Sequence, residues 1–181
     1  MRYIALLRGI NIGRYRKILM ADLRKLFEDL GFSGVTTYIQ TGNIVLNTSG
    51  KVSIDELANN IEQSLFSAYG FEVPVIVRTV EEINELIVNN PFLKNGKVEV
   101  ERLHLTFLKD NPTIEKLEKV INIDSTPDKF EIVNKNIFIY CSKLYSDSKL
   151  GNTFFENTLK VKGTTRNWKT VLKLSELSKI N

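Results

Sequence analysis

Arg2 to Arg8 is a nearly continuous apolar run, too unbroken for simple alternation, and reads as a central strand of a sheet. It breaks at Arg8-Gly9-Ile10-Asn11-Ile12-Gly13, a polar turn bracketed by glycines. Residues 9 to 19 lack a helical period and carry Arg14, Arg16 and Lys17, so they read as an exposed connection. Met20, Leu23, Phe27 and Leu30 then recur at helical spacing, with Asp22 in the first turn and Gly31 placed as a left-handed stop. Val35 to Gln40 and Asn43 to Asn47 are short β-branched and aromatic runs, and Gly42-Asn43 suits a tight antiparallel hairpin. Ser53-x-x-Glu56 has the form of a capping box, Ile54, Leu57, Ile61 and Leu65 share one helix face, and Gly70 ends it. A strand from Val73 to Thr79 completes β-α-β-β-α-β, the ferredoxin-like order.

The pattern then begins again. Thr79-x-x-Glu82 offers a second capping box for a helix over about 81–88, which Asn89-Asn90-Pro91 stops before a loop at Lys94-Asn95-Gly96-Lys97. Glu101 to Leu108 alternates, with Leu103, Leu105 and Phe107 opposite Arg102, His104 and Thr106, and predicts a half-buried strand. Asn111-Pro112 reads as an N-cap followed by proline at the first helical position, with Ile114, Leu117, Val120 and Ile121 as the buried face. Phe130 to Val133 and Ile137 to Cys141 flank the turn Asn134-Lys135-Asn136. A helix over Ser148 to Leu159 follows, and a C-terminal helix from Asn167 to Lys179 stands where the last strand would be. The fold class is therefore α+β, with two ferredoxin-like halves, the second incomplete. The expected division is residues 1–79, a helix and linker over 80–100, and residues 101–181.

Composition narrows the function classes. The 181 residues are 43% hydrophobic and 25% charged, with mean hydropathy −0.12 and no apolar run near the roughly 20 residues of a membrane helix. The N-terminal apolar stretch is too short for a signal peptide, so a soluble, cytoplasmic protein without a membrane partner is expected. A single cysteine, Cys141, and a single histidine, His104, leave no disulfide and no Cys- or His-rich metal site, and no cofactor is expected. Net charge is only +4, but it is unevenly distributed. Residues 1–25 hold seven basic side chains and one acid, and residues 143–181 hold eight and three; the middle holds ten and seventeen. If the ends converged they would form one basic region fit for an anion; exposed lysines that keep the surface solvated are the alternative.

Four segments carry a family resemblance: Tyr3-Ile4-Ala5-Leu6-Leu7-Arg8-Gly9-Ile10-Asn11-Ile12-Gly13, Met20-Ala21-Asp22-Leu23-Arg24, Thr37-Tyr38-Ile39-Gln40-Thr41-Gly42-Asn43-Ile44-Val45, and Thr164-Thr165-Arg166-Asn167-Trp168-Lys169-Thr170-Val171. Together they resemble the bacterial domain of unknown function 1697 (DUF1697), in order from Met1 to about Leu177. The resemblance implies an α/β protein of two ferredoxin-like halves and no settled substrate, cofactor or catalytic residue. Thr41 stands where such sequences often show serine, Lys169 where they show asparagine, and Arg14 where a second glycine is common.

The candidate site residues are Arg8, Asn11, Gln40, Asn43, Arg166 and Asn167. The Arg8–Gly13 turn is either an anion-binding concavity of backbone N–H groups or a structural turn that Asn11 caps; it matches neither G-x-G-x-x-G nor the phosphate loop. Gln40 and Asn43 either serve hairpin geometry or present amides to a ligand. Thr165 or Asn167 is a natural N-cap and Trp168 a core anchor, whereas Arg166 is a cation beside a helix N-terminus, unfavourable without a balancing anion. His104 and Cys141 read as structural, and Glu81, Glu82 and Glu85 as a solvated helix face. No catalytic residue is identified, and whether the protein is an enzyme stays open. The function this supports is binding of an anionic small molecule or nucleotide-like ligand in a basic groove between the halves. Single-stranded nucleic-acid binding, an unidentified reaction and a protein-interaction module remain as alternatives.

Overall fold

A computed structural model describes residues 1–94 and 98–179; the expected loop at Asn95-Gly96-Lys97 lies outside the described residues. The chain divides into two compact units, Met1–Glu85 with Lys173–Asn181, and Leu86–Leu172. The division expected from the sequence instead set limits at residues 79 and 101 and gave the whole C-terminal helix to the second half.

The first unit contains β1 (Arg2–Leu7), α1 (Met20–Asp29), β2 (Ser33–Tyr38), β3 (Asn43–Asn47), α2 (Ile54–Tyr69) and β4 (Val75–Thr79), followed by α3 (Val80–Val88). Its antiparallel sheet has the order β2-β3-β1-β4. Tyr3, Ala5 and Leu7 of β1 alternate onto one face, where Leu23 and Phe27 of α1 and Leu57, Ile61 and Leu65 of α2 close over them. Each large apolar side chain buried this way contributes about 1.5–3 kcal/mol. Ile4, Leu6, Val45 and Ile76 on the opposite face are buried as well, as the continuous apolar run in β1 requires. Helix α2 ends on Gly70 in the left-handed conformation. Its start departs from expectation, since Ser53 makes no side-chain capping bond. The Thr79/Glu82 box does form: Glu82 N–H donates to Thr79 Oγ1 (3.1 Å) and Thr79 N–H to Glu82 Oε2 (2.8 Å).

The second unit contains β5 (Leu103–Leu108), α4 (Ile114–Ile121), β6 (Lys129–Val133), β7 (Asn136–Tyr140), α5 (Asn152–Leu159) and β8 (Gly163–Asn167), followed by α6 (Trp168–Leu177). Sheet order β6-β7-β5-β8 repeats that of the first unit. The second copy is thus complete, a correction to the incomplete one expected. Strand β8 escaped the hydrophobic pattern because Gly-Thr-Thr-Arg-Asn has no apolar side chain; pairing with β5 from His104–Asn167 to Leu108–Gly163 makes it a strand. β5 is not half-buried either. All six of its residues are buried, Thr106 among them, with its hydroxyl 2.7 Å from that of Thr165. The cap of α4 is Thr113 rather than Asn111, and Ile114 and Ile121, expected in the core, are exposed. Among the described residues no helix is long and apolar enough to cross a membrane.

Candidate functional site

The first unit assembles its candidate site at the end of β1. Leu7 N–H donates to Gly42 O (2.8 Å) and Arg8 N–H to Pro74 O (2.9 Å), so both neighbouring segments hold the strand to its last residue. Gly9 then turns the chain at φ 73°, and Ile10 drops its side chain into the core. Asn11, at φ 56°, pins the loop that begins with it: its Oδ1 accepts from Ile18 N–H (2.9 Å), and its Nδ2 donates to Ile18 O (3.0 Å) and Gln40 O (2.8 Å). Asparagine tolerates this left-handed conformation better than most side chains. Asn11 N–H also donates to Arg16 O, closing residues 11–18 into a loop. Inside it Ile12 and Tyr15 pair antiparallel across the apex Gly13-Arg14.

The hairpin beside it is a four-residue connection, not the tight Gly42-Asn43 turn expected. Ile39 and Gly42 take positive φ, and Asn43 is the first, buried residue of β3. Gly42 is fixed by space as well as by φ 77°, because a Cβ there would lie 2.6 Å from Leu7 Cβ. Asn43 Nδ2 donates to Tyr38 O (3.0 Å) and Thr41 Oγ1 (2.9 Å), so its amide stabilises the hairpin from within.

Of the residues selected from sequence, this end of the sheet brings together Arg8, Asn11, Gln40 and Asn43. Asn11 and Asn43 spend the amide groups described above on the framework, while Arg8 is half-buried and Gln40 exposed. What sequence reading passed over is the loop tip. Arg14, Tyr15 and Lys17 are exposed, and the Arg16 guanidinium folds back over Gly9, 3.4 Å from where a Cβ would stand. Among the described residues Arg14, Arg16 and Lys17 form no salt bridge. The available signal was length: residues 9 to 19 exceed what a β-to-α connection needs.

Arg166 and Asn167 belong to the second unit. Arg166 is not loop but β8, 7% exposed, donating to Thr164 Oγ1 (2.7 Å) and Thr165 O (2.9 Å), and burial pushes its guanidinium down to about 10. Asn167 caps α6 by accepting from Thr170 N–H (2.8 Å), and Trp168 is buried as expected. Asn167 also reaches the rim of a cavity of about 730 Å³ with His104 in its wall. Charges around that cavity compensate one another: Arg102 pairs with Glu99 (2.7 Å) and Lys169 with Glu101 (2.8 Å).

His104 Nδ1 lies 4.0 Å from Cys141 Sγ, and its ring stacks on Tyr145 at 4.4 Å. Burial raises the thiol and lowers the imidazole, so both groups are held neutral. An activated nucleophilic pair has the opposite shifts, a lowered thiol and a raised imidazole that together rest as thiolate and imidazolium. Among the described residues no group of three or more His, Cys, Asp or Glu side chains could hold a metal ion.

Residues 1–138 match the model of the family described as "Protein of unknown function (DUF1697)". The chain belongs to this family. The DUF1697 match takes in Arg8, Asn11, Gln40 and Asn43 and stops within β7, short of Arg166 and Asn167. No curated protein matches the chain. Among solved structures it is similar to the conserved bacterial protein SP0830 from Streptococcus pneumoniae, with 23% identity, 97% of each chain covered and a TM-score of 0.75. This likeness shows that the two share a fold.

Proposed function

We propose that this DUF1697 protein binds an anionic, phosphate-bearing ligand at the loop end of its first unit and performs no covalent chemistry on it. One observation carries the reading. The 11–18 loop, pinned by Asn11 to Gln40 O, holds Arg14, Arg16 and Lys17 without carboxylate partners among the described residues, next to Arg8, in a stretch where residues 1–21 contain no Asp or Glu. Guanidinium groups in a fixed loop suit phosphate oxygens, because the fork geometry is already organised. Gln40, exposed and joined to the loop through its backbone, supplies an amide that can orient a base or sugar. Asn11 and Asn43 keep the loop and hairpin in shape for that ligand. Arg166 and Asn167 hydrogen-bond within the β8–α6 corner of the second unit. A single buried cysteine fits residence in the cytoplasm.

The test is calorimetric titration of pyrophosphate and of ATP into the wild type and into Arg8→Ala, Arg16→Ala and Arg166→Ala. Binding that weakens at least tenfold in the first two variants and survives in the third supports the assignment. Binding that ignores Arg8 and Arg16 while the variants melt like the wild type refutes it.

A further inference from the structure

The geometry points to a more specific ligand for the same loop: we infer that it takes single-stranded nucleic acid, an inference that rests on the phosphate-binding reading above. Four apolar side chains are exposed around the pinned loop, Ile12 (66%), Tyr15 (80%), Leu19 (71%) and Ile39 (46%). Ile12 and Tyr15 face each other across the apex, Leu19 follows Ile18, which Asn11 binds, and Ile39 precedes Gln40, which Asn11 also binds. In the second unit the corresponding link, Lys109-Asp110-Asn111-Pro112-Thr113, and the corresponding turn, Asn134-Lys135, contain no large apolar residue and no aromatic ring; Ile114 and Val133, which flank them, are exposed there.

Cations alone would suit any phosphate. Arg14-Tyr15-Arg16-Lys17 interleaves them with an aromatic ring in the open, the combination by which a strand is held through its backbone and through one stacked base. The other way for a ferredoxin-like sheet to bind RNA, stacking bases on exposed aromatics of its central strands, is closed. Tyr3 of β1 is 2% exposed with its hydroxyl donating to Val52 O (3.1 Å), and Ile4, Leu6 and Val45 bury the opposite face. An anionic membrane is the other extended partner with matching charge, and the apex argues against it. Arg14 stands at the turn between Ile12 and Tyr15, so inserting the tip among acyl chains would drag a guanidinium in first. A strand meets no such obstacle, since phosphates receive the cations while a base covers Tyr15.

The test uses the full chain and a fluorescein-labelled single-stranded RNA of mixed sequence, about twelve nucleotides long, read by anisotropy. Three phosphate contacts give a slope of log K against log salt of about −2. Tyr15→Ala should weaken binding about tenfold and Tyr15→Phe should leave it unchanged, because the ring and not the hydroxyl does the stacking. Tyr15 is a surface residue, and matched melting curves establish that both variants fold. Pyrophosphate binding with no gain for the RNA, or RNA binding indifferent to Tyr15→Ala, overturns the nucleic-acid inference and leaves the phosphate reading standing. If neither pyrophosphate nor RNA binds, both readings fall. Binding to phosphatidylserine vesicles in preference to RNA overturns the inference in favour of a membrane surface.

Discussion

Strands β1 and β5 are held by matching hydrogen bonds in the two halves. Leu7 N–H donates to Gly42 O and Leu108 N–H to Lys135 O; Arg8 N–H donates to Pro74 O and Lys109 N–H to Lys162 O, all at 2.8–2.9 Å. Asn43 opens β3 opposite Leu6 as Asn136 opens β7 opposite Phe107, and both are buried. Arg78 pairs with Ile4 as Arg166 pairs with Leu105, and burial lowers the pKa of both guanidiniums. Thr79 caps α3 and Asn167 caps α6. The halves diverge where the first carries residues 8–19 between β1 and α1 and residues 39–42 between β2 and β3, against 109–113 and 134–135 in the second. A feature present twice belongs to the scaffold. On the proposed reading Asn43, Arg166 and Asn167 therefore serve the scaffold, and the ligand is assigned to the one elaborated end.

The largest effect expected from this comparison is at Gly42. Gly42→Ala should cost about 3 kcal/mol in urea unfolding, the left-handed φ and the collision with Leu7 Cβ adding together. At the matching turn of the second half Asn134, at φ 53°, is already a side chain, and Asn134→Ala should cost about 1 kcal/mol. Equal costs would mean that the two hairpins are under the same constraint. Next in size is Asn11→Ala, about 2 kcal/mol, from three lost hydrogen bonds and an unfavourable φ. Hydrogen exchange should localise that loss to residues 11–18, because no counterpart of Asn11 exists in the second half; uniform loss across the sheet would contradict it. The duplicated caps come third. Thr79→Ala and Asn167→Ala should each cost about 1 kcal/mol, and a clear inequality would break the equivalence of the two corners.

The smallest effect concerns pH and belongs to the second half alone. Tyr3 stands on β1 where His104 stands on β5. Burial holds folded His104 below its ordinary 6.5, so as pH falls through 6.5 the unfolded chain takes up the proton first and stability drops. Above that value both states are neutral at this site and it contributes no slope. The loss of melting temperature between about pH 7.5 and 5.5 should shrink in His104→Gln, and an unchanged slope would assign the acid sensitivity elsewhere.

The repeat was legible from periodicity up to β7, since the first half and Phe130 to Cys141 carry period-2 and period-3.6 apolar patterns. Strand β8 was not, because its residues are polar and only a partner strand makes them extended. Arg166 was misplaced for the same reason: read as a loop residue beside a helix, it needed an anion to explain it, whereas as a strand residue it is met by Thr164 and by a backbone carbonyl. The two capping boxes gave one success and one failure, since Thr79 and Glu82 exchange bonds but Ser53 makes none, and side-chain rotation is not written in a four-residue motif. The Arg8–Gly13 turn was visible as an oddity of composition. Its role as a pinned platform was not, because that depends on Asn11 meeting Ile18 and the carbonyl of Gln40 across the fold.

On the proposed reading one end of the first half binds anions and the matching end of the second does not, although both carry basic residues. Titrating pyrophosphate into two triple variants tests it most directly: Arg14→Ala with Arg16→Ala and Lys17→Ala, against Lys109→Ala with Lys135→Ala and Lys162→Ala. The first set should lose at least tenfold in affinity, about 1.4 kcal/mol, and the second should stay near wild type. Equal losses, the reverse order, or no binding by the wild type would show that the two ends do not differ in this way.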